Sequence, residues 1–312
     1  MSTTSGFHRA HNLRRSTVRL SVYVAASTSL AAIAQDQPAA PPTGAAPAPE
    51  VAPAPQYVPD RAASPVWTPG GYPDEYILRP LTVPPGMFQG TVPVVLNLSQ
   101  GAAFKPVWLP LDMRFGMTEQ FELFLSGNDL GAPMAVGHGG ICLGGARYCP
   151  NWYNNLNLGG HYSFLKRGTL ELSGFVVAEF KQFTPDTLFA IDAGVAVKYV
   201  AGVFSVKTAP RIGVGAYRRS ARNAEGMGVP IQIAIQAKPE IAIFLDTGVF
   251  ASMNQFGGTW QVPLGIGADL FVRHGVDVGA EFMLPALGAG SAVTPKAADS
   301  RTLMLYAVWR SP

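Results

Sequence analysis

The sequence predicts an all-β fold, a transmembrane antiparallel β-barrel of about 12 strands behind an N-terminal signal peptide and a disordered Pro/Ala-rich tether. Many short segments place hydrophobic residues at alternate positions, and tight turns alternate with long connections between those segments. Only 14% of the 312 residues are charged, 48% are hydrophobic and 34 are Gly, which suits many strands and turns. The formal charge of +3, spread along the chain, provides no basic patch for nucleic acid.

Residues 1–34 have the form of an export signal. A basic head is followed by an apolar run from Leu20 to Ile33, which ends in the small-x-small motif that closes with Ala34. The run is shorter than the roughly 20 apolar residues of a membrane-spanning helix. We expect removal of this segment, and a mature chain in a membrane would have to cross it with strands.

Residues 35–66 are dominated by Ala and Pro, a composition that cannot bury a core and favours extended conformations. The favoured interpretation is a disordered, solvated linker. A tail that touches peptidoglycan or a partner protein is the alternative. Residues 67–86 are predicted as a periplasmic segment before the barrel, and residues 87–312 as the barrel itself.

Alternation of period two defines the strands of the barrel. In the segment before Gly127, Phe121, Leu123 and Leu125 share one side, while Gln120 and Glu122 share the other. The predicted strands are 87–99, 107–115, 119–126, 154–165, 169–181, 188–199, 203–213, 229–238, 241–252, 259–273, 277–284 and 301–310.

The connections between these strands alternate in length. Five are tight, at Gly116, Lys166, Ala201, Pro239 and His274. Those between them are longer, notably 127–153, 216–228 and 285–300. Short turns at one rim and long loops at the other, with both chain ends on the short-turn side, are typical of barrels inserted from the periplasm. Alternation alone leaves a secreted soluble β-sandwich open as an alternative.

The ionisable residues of the strands share the polar face. If they faced lipid, each would cost about 2 to 4 kcal/mol near the bilayer midplane. The total of these costs would exceed the net folding stability of most proteins. They are therefore predicted to face the lumen. The predicted lumen-lining residues are Asp112, Arg114, Glu122, His161, Glu171, Glu179, Lys181, Asp192, Lys198, Lys207, Arg211, Asp246, Asp269, Arg273 and Glu281.

From Met87 to the C-terminus the chain resembles bacterial outer-membrane β-barrel proteins, including porin-like proteins of unassigned activity. The resemblance rests on the leader, the alternating strands and the last strand, Arg301–Trp309, which looks like the family's assembly signal although the chain continues for three residues. It implies a place in the outer membrane of a Gram-negative bacterium, contact with outer-membrane lipids, insertion by the barrel assembly machinery, and small solutes as partners. Solute selectivity and oligomeric state stay open.

Cys142 and Cys149 are the only cysteines and lie in the longest loop. Export to an oxidising compartment favours a disulfide between them. A metal site with His138 is the alternative, and it lacks a fourth ligand nearby. The Gly-rich run from Gly137 to Gly145 lacks the Lys-Ser/Thr ending of a phosphate-binding loop, which indicates a flexible loop.

The motif His161-Tyr162-Ser163 resembles the His-x-Ser pair of outer-membrane phospholipases and lipid A deacylases. Those enzymes need the pair on the lipid side, whereas here it shares the polar face of Asn157. The neighbourhood of Phe175 also lacks the Asn or Glu that the resemblance calls for. A hydrogen-bonded, non-catalytic pair in the lumen is therefore favoured.

Two further groups of residues have a structural interpretation. Asp269 and Glu281, with Arg273 on the same face, favour an ion-pair network over acid/base catalysis. The aromatic residues near strand ends are expected at the membrane interfaces. They are Trp67, Trp108, Trp152, Tyr153, Trp260, Tyr306 and Trp309. The sequence thus predicts no enzyme activity, catalytic residue, cofactor or metal.

The sequence favours a narrow passive channel or small-solute transporter. Eight-stranded barrels are filled by their own side chains and sixteen-stranded barrels hold an aqueous channel, so about twelve lies between. The alternative is a non-conducting structural or surface-binding barrel that uses the loop 127–153. A lipid hydrolase based on His161 and Ser163 is the least favoured hypothesis.

Overall fold

The computed structural model describes residues 71–99, 101, 103–127, 139–145, 147–183, 187–219, 223–294 and 299–311. The predicted signal peptide and linker, together with Trp67, Gly137 and His138, lie outside the described residues. The helical pieces in the described part are a 3-10 turn at Tyr76–Leu78, another at Met253–Gln255, and α1 (Phe256–Thr259). None of these helices is long and apolar enough to cross a membrane.

Sixteen strand segments follow one another along the described chain. They are β1 (Phe88–Asn97), β2 (Val107–Leu109), β3 (Asp112–Gly116), β4 (Phe121–Ser126), β5 (Gly140–Leu143), β6 (Tyr153–Asn154), β7 (Leu156–Arg167), β8 (Leu170–Gln182), β9 (Leu188–Ala201), β10 (Phe204–Thr208), β11 (Arg211–Tyr217), β12 (Gly226–Lys238), β13 (Ile241–Ser252), β14 (Gln261–Arg273), β15 (Val276–Ala289) and β16 (Thr302–Ser311).

These segments form one closed antiparallel wall. Segments β2 and β3 both pair with β1 and make one wall strand interrupted at Pro110, and β10 and β11 both pair with β9 and β12 across the interruption at Pro210. Proline causes such breaks because it has no N–H to donate. Segments β5 and β6 belong to the first long loop. The wall therefore has twelve strands, which confirms the predicted fold class.

Closure depends on the first and last strands. β1 pairs with β16 over ten residues, from Phe88 opposite Ser311 to Asn97 opposite Thr302. Five short connections lie at one end of the wall, here called the short-turn rim, and the long connections lie at the opposite, long-loop rim. Gly168, Gly202 and Gly275 adopt positive φ in three of the short turns, a conformation that glycine takes without a steric penalty.

The outer face of the wall is apolar and the inner face carries the ionisable groups. Val176, Ile191 and Ile266 are exposed by 58%, 45% and 58%, whereas Glu122 and Lys198 are at most 1% exposed. A soluble protein buries apolar side chains and exposes charges, so this inverted distribution is that of a barrel whose outside contacts lipid. The last strand follows it, with Leu305 and Trp309 outward.

Two of the aromatic residues expected at the membrane interfaces are instead inside the barrel. Trp108 is 7% exposed and packs against Val95, Met283 and Met304. The hydroxyl of Tyr306 donates to Asp269 at 3.1 Å. For these two residues the sequence expectation was wrong, because proximity to a strand end does not decide which face a side chain takes.

Candidate functional site

Residues 72–86, here called the lumen segment, enter the barrel near the short-turn rim. The hydroxyl of Tyr76 donates to Gln232 of β12 at 2.7 Å. The backbone N–H of Leu81 donates to Glu171 of β8 at 2.8 Å. That of Val83 donates to Glu122 of β4 at 2.7 Å. Because β12, β8 and β4 lie in different parts of the wall, the segment crosses the lumen. The sequence predicts a periplasmic segment before the barrel at residues 67–86, whereas the described residues of this segment lie in the lumen.

Arg79 is the main polar anchor of the lumen segment. It is 6% exposed, and its guanidinium contacts Asp269 of β14 at 3.2 Å and Asp277 of β15 at 2.9 Å. Arg310 of β16 approaches Asp277 at 2.6 Å, and the ammonium of Lys198 donates to the backbone carbonyl of Arg79. A buried guanidinium needs such partners, because an unpaired charge in this place would be costly.

An apolar contact reinforces this anchor. Ile77 is fully buried and packs with Val200, Ala234 and Phe244 on the inner wall. The ring of Tyr76 stacks on Phe244 with 5.9 Å between centroids, and the ammonium of Lys207 lies 4.3 Å from the centre of the Tyr76 ring. Burial raises the pKa of the Tyr76 hydroxyl, so this group stays protonated. It can therefore donate to Gln232.

A second cluster joins β3, β4 and β7. The guanidinium of Arg114 lies 3.5 Å from both Asp112 and Glu122. His161 Nδ1 lies 3.1 Å from Glu122 Oε1, and the imidazole sits between the rings of Phe124 and Phe175. These contacts hold His161 on the lumen side of the wall.

Ser163 is also inside the barrel, with 2% exposure. It follows His161 on the same face of β7, since the side chain between them, Tyr162, points outward and is 51% exposed. The pair therefore faces away from the lipid that surrounds the barrel. The partner carboxylate of His161 comes from β4, a neighbour that sequence spacing did not indicate.

The other predicted lumen residues vary in burial. Asp112, Glu122, Glu179, Asp192, Lys198, Asp269 and Glu281 are buried, while Arg114, His161, Glu171, Lys181, Lys207, Arg211 and Asp246 are partly buried. Glu179 pairs with Lys181 at 3.3 Å. Arg273 differs, because it is exposed at the short-turn rim beside a β-bulge that follows Phe271. The network predicted around Asp269 takes its cation from Arg79 and not from Arg273.

The lumen encloses a cavity of about 320 Å³. One side of it is made by Tyr72, Tyr76 and Arg79 of the lumen segment. Its wall is mixed in character. The apolar contributors include Phe244, Met283 and Met304, and the polar ones include Gln89, Thr91, Asp112, Arg114, Lys207, Gln232, Asp246, Asp269, Glu281, Tyr306 and Arg310.

Sequence reasoning missed several residues of this site. Asp277 is in phase with Glu281 on β15, and Arg310 is in phase with Tyr306 on β16, so the same alternation was available to assign both to the lumen. Arg79 lies outside any alternating strand. The available signal there was the apolar residues around it, such as Ile77, which are unusual for a solvated linker.

The loop disulfide is present. Cys142 and Cys149 are bonded, which uses both thiols of the alternative metal site. Cys142 lies on β5 and packs against Trp108 at the long-loop end of the barrel. The bond therefore ties the tip of the first long loop to a strand that pairs with the wall.

Comparison with known proteins supports the fold assignment. No protein-family model and no curated protein sequence matches the chain. Among solved structures, a NanC porin matches with a TM-score of 0.50 and 8% identity over 70% of this chain and 98% of that chain. A KdgM porin matches with a TM-score of 0.47 and 7% identity over 71% and 98% of the two chains. The COG4313 outer membrane channel from Pseudomonas putida F1 matches with a TM-score of 0.47 and 14% identity over 78% and 99%.

At such low identity the first of these likenesses shows the fold alone. The chain has the fold of a porin-like outer-membrane β-barrel.

Proposed function

We propose that this protein is an outer-membrane channel that lets small polar solutes diffuse across the membrane. The observation that carries the proposal is the cavity of about 320 Å³ inside a wall that is apolar outside and charged inside. This volume is at the small end of the range for small-molecule sites. The solved structures with a related fold are named as porins and as an outer membrane channel, which supports the same class.

The lumen segment makes this channel narrow. Its contacts with β4, β8, β12, β14 and β15 occupy the lumen at the short-turn end. The lumen segment forms one side of the cavity, so a solute that crosses the barrel has to pass this segment. Passage through the barrel therefore depends on how often this segment leaves its place.

The proposal is tested with the purified full chain, refolded and inserted into planar bilayers. We expect small, infrequent conductance steps. Proteoliposomes should swell slowly in small sugars and should not swell in larger sugars, which are excluded. The control is protein left unfolded in urea and added to the same bilayers. Absence of both conductance and solute flux from correctly refolded protein would remove the channel proposal.

The second candidate is a non-conducting structural barrel. In that case the two buried ion pairs of Arg79 would hold the lumen segment in place permanently. The two candidates differ in one respect, because only a channel gains conductance when that anchor is weakened.

Lipid hydrolysis is not supported by the geometry. The candidate His161 and Ser163 side chains lie on the lumen side of β7. An acyl chain in the surrounding membrane would have to cross the hydrogen-bonded wall to reach them.

For the same class of barrel we propose insertion by the assembly machinery of a Gram-negative outer membrane, with β16 as the strand that carries the signal.

A further inference from the structure

Two acidic side chains meet inside the cavity. Asp246 of β13 is directly opposite Gly265 of β14, and Glu281 of β15 is opposite Gly267. A Cβ atom on Gly265 would lie 2.3 Å from Glu281 Oε1, so the Glu281 side chain occupies the space that this glycine leaves open. Because Asp246 is the residue opposite Gly265, the Glu281 carboxyl group lies beside Asp246, and both side chains line the cavity.

In the part of the chain that the structure describes, this acidic pair makes no ion pair with a basic side chain. Within the described residues, neither Asp246 nor Glu281 has a basic nitrogen within 4.0 Å. Glu281 is 3% exposed, and its Oε1 atom has no hydrogen-bond partner in that part of the chain. Asp246 accepts a hydrogen bond of 3.3 Å from Gln232, which is neutral. A buried carboxylate oxygen that lines a cavity and lacks a partner points to a missing ligand.

The arginines of the cavity already have carboxylate partners. Arg79 and Arg310 contact Asp277, and Arg79 also contacts Asp269. Arg114 is shared between two further carboxylates. Lys207 remains as the basic residue nearest the acidic pair, and its ammonium lies over the Tyr76 ring. Outside those ion pairs, the two carboxyl groups of Asp246 and Glu281 share the cavity with the single ammonium of Lys207.

The lining of the cavity indicates what kind of cation fits. Phe244, Met283 and Tyr306 border the same space as the two carboxylates. A hard metal ion prefers six or more oxygen ligands. An ammonium or guanidinium group instead combines ion pairing to carboxylates with contacts to aromatic rings. A cavity of about 320 Å³ has room for a small organic molecule around that group.

We propose that Asp246 and Glu281 form a binding site for the ammonium or guanidinium group of a small organic cation. The site deepens the proposed function, because it names cationic solutes as the class that the channel takes up. It rests on that function for its biological meaning, but binding is measurable without conduction.

The test is isothermal titration calorimetry on the full chain refolded in an uncharged detergent, with putrescine as the probe. Succinate and 1,4-butanediol have the same four-carbon length and serve as anionic and neutral controls. We expect saturable binding of putrescine and none of the two controls. The double variant Asp246→Asn, Glu281→Gln should weaken putrescine binding at least tenfold.

The matched control variant is Glu179→Gln, which neutralises another buried lumen carboxylate that does not line the cavity. It should bind putrescine as the unmodified protein does. If the double variant does not refold, Gly265→Ala replaces it, because the new methyl group forces the Glu281 carboxylate away while leaving both acids in the chain. Refolding of each variant is checked by heat-modifiable migration on gels.

Failure to bind putrescine, or equal affinity in the double variant, would overturn the site. Displacement of putrescine by an equal concentration of Mg²⁺ would assign the pair to a metal ion and overturn the organic-cation assignment. The outcomes for site and channel are separable. Binding without conductance keeps the site and removes the channel, and conductance without binding does the reverse.

Discussion

Replacement of Arg79 by alanine should release the lumen segment. The change removes two buried contacts, to Asp269 and Asp277, and leaves Asp277 paired with Arg310. Loss of one partner from a buried ion pair costs about 3 to 5 kcal/mol. The hydrogen bonds that remain, such as the one from Val83 to the Glu122 carboxylate, contribute about 1.5 to 3 kcal/mol each. Arg79 is therefore the largest single contribution to holding the segment.

The size of the effect follows from these energies. Each 1.4 kcal/mol changes an equilibrium tenfold, so a loss of about 3 to 5 kcal/mol raises the displaced fraction by roughly two to three and a half powers of ten. A cysteine at position 77 reports this fraction, because Ile77 is fully buried and the two native cysteines are bonded to each other. We expect Ile77→Cys to react with a maleimide at least 100 times faster in the Arg79→Ala background.

Bilayer recordings provide the functional measurement. Arg79→Ala should open more often or with larger conductance than the unmodified chain, while Arg79→Lys should lie between the two because a lysine keeps the charge but not the forked geometry. Arg273→Ala is the matched control, since Arg273 is exposed at the rim. Unchanged maleimide reactivity and unchanged conductance in Arg79→Ala would refute the assignment of Arg79 as the anchor.

Three further predictions concern the wall and the first long loop. Ile266→Lys should lower the free energy of unfolding by about 2 to 4 kcal/mol, the cost of a lysine that faces lipid near the midplane, because Ile266 is 58% exposed on the lipid side. Urea unfolding in lipid vesicles measures this loss, with Ile266→Leu as the control. Cys142→Ser with Cys149→Ser should leave heat-modifiable migration unchanged but speed proteolysis of the loop, since β5 is not a wall strand. Gly267→Ala should destabilise the barrel by about 1 to 3 kcal/mol in the same unfolding assay. The new Cβ atom would lie 2.3 Å from the Phe244 ring and 2.7 Å from the Ala280 carbonyl oxygen. Gly257→Ala is the control, because the space around its Cβ position is open.

The wall was predictable because its rules are local. A strand that faces lipid on one side and water on the other must alternate, and the alternation is visible in any window of eight residues. Errors arose where the alternation changes phase. The bulge after Phe271 breaks the register next to Arg273, which was assigned to the lumen and is exposed at the rim. Sequence alone does not mark such a bulge.

The interior was harder to predict because its contacts are distant in sequence. Arg79 and Asp277 are 198 residues apart, and Tyr76 and Gln232 are 156 apart. No spacing rule connects such pairs. Some inner-face residues are apolar, such as Phe175 and Val177, which pack in the lumen near β9. Their side chains carry no charge that could assign them to the lumen from the sequence. Composition before the first strand was the one hint that a segment lies within the barrel.

The position of the lumen segment in the chain explains how it can move without opening the wall. It leads directly into β1, whose pairing with β16 closes the barrel over ten residues. In the described residues, backbone hydrogen bonds from this part of the chain to the wall begin at Gly86, which has a φ of 76° and no atom within 4 Å of a would-be Cβ. Before Gly86, the described hydrogen bonds between the segment and the wall each use a side chain on at least one side, as where Glu122 accepts from the Val83 N–H. Displacement of residues 72–84 therefore breaks ion pairs and side-chain hydrogen bonds while every strand of the wall keeps its neighbours.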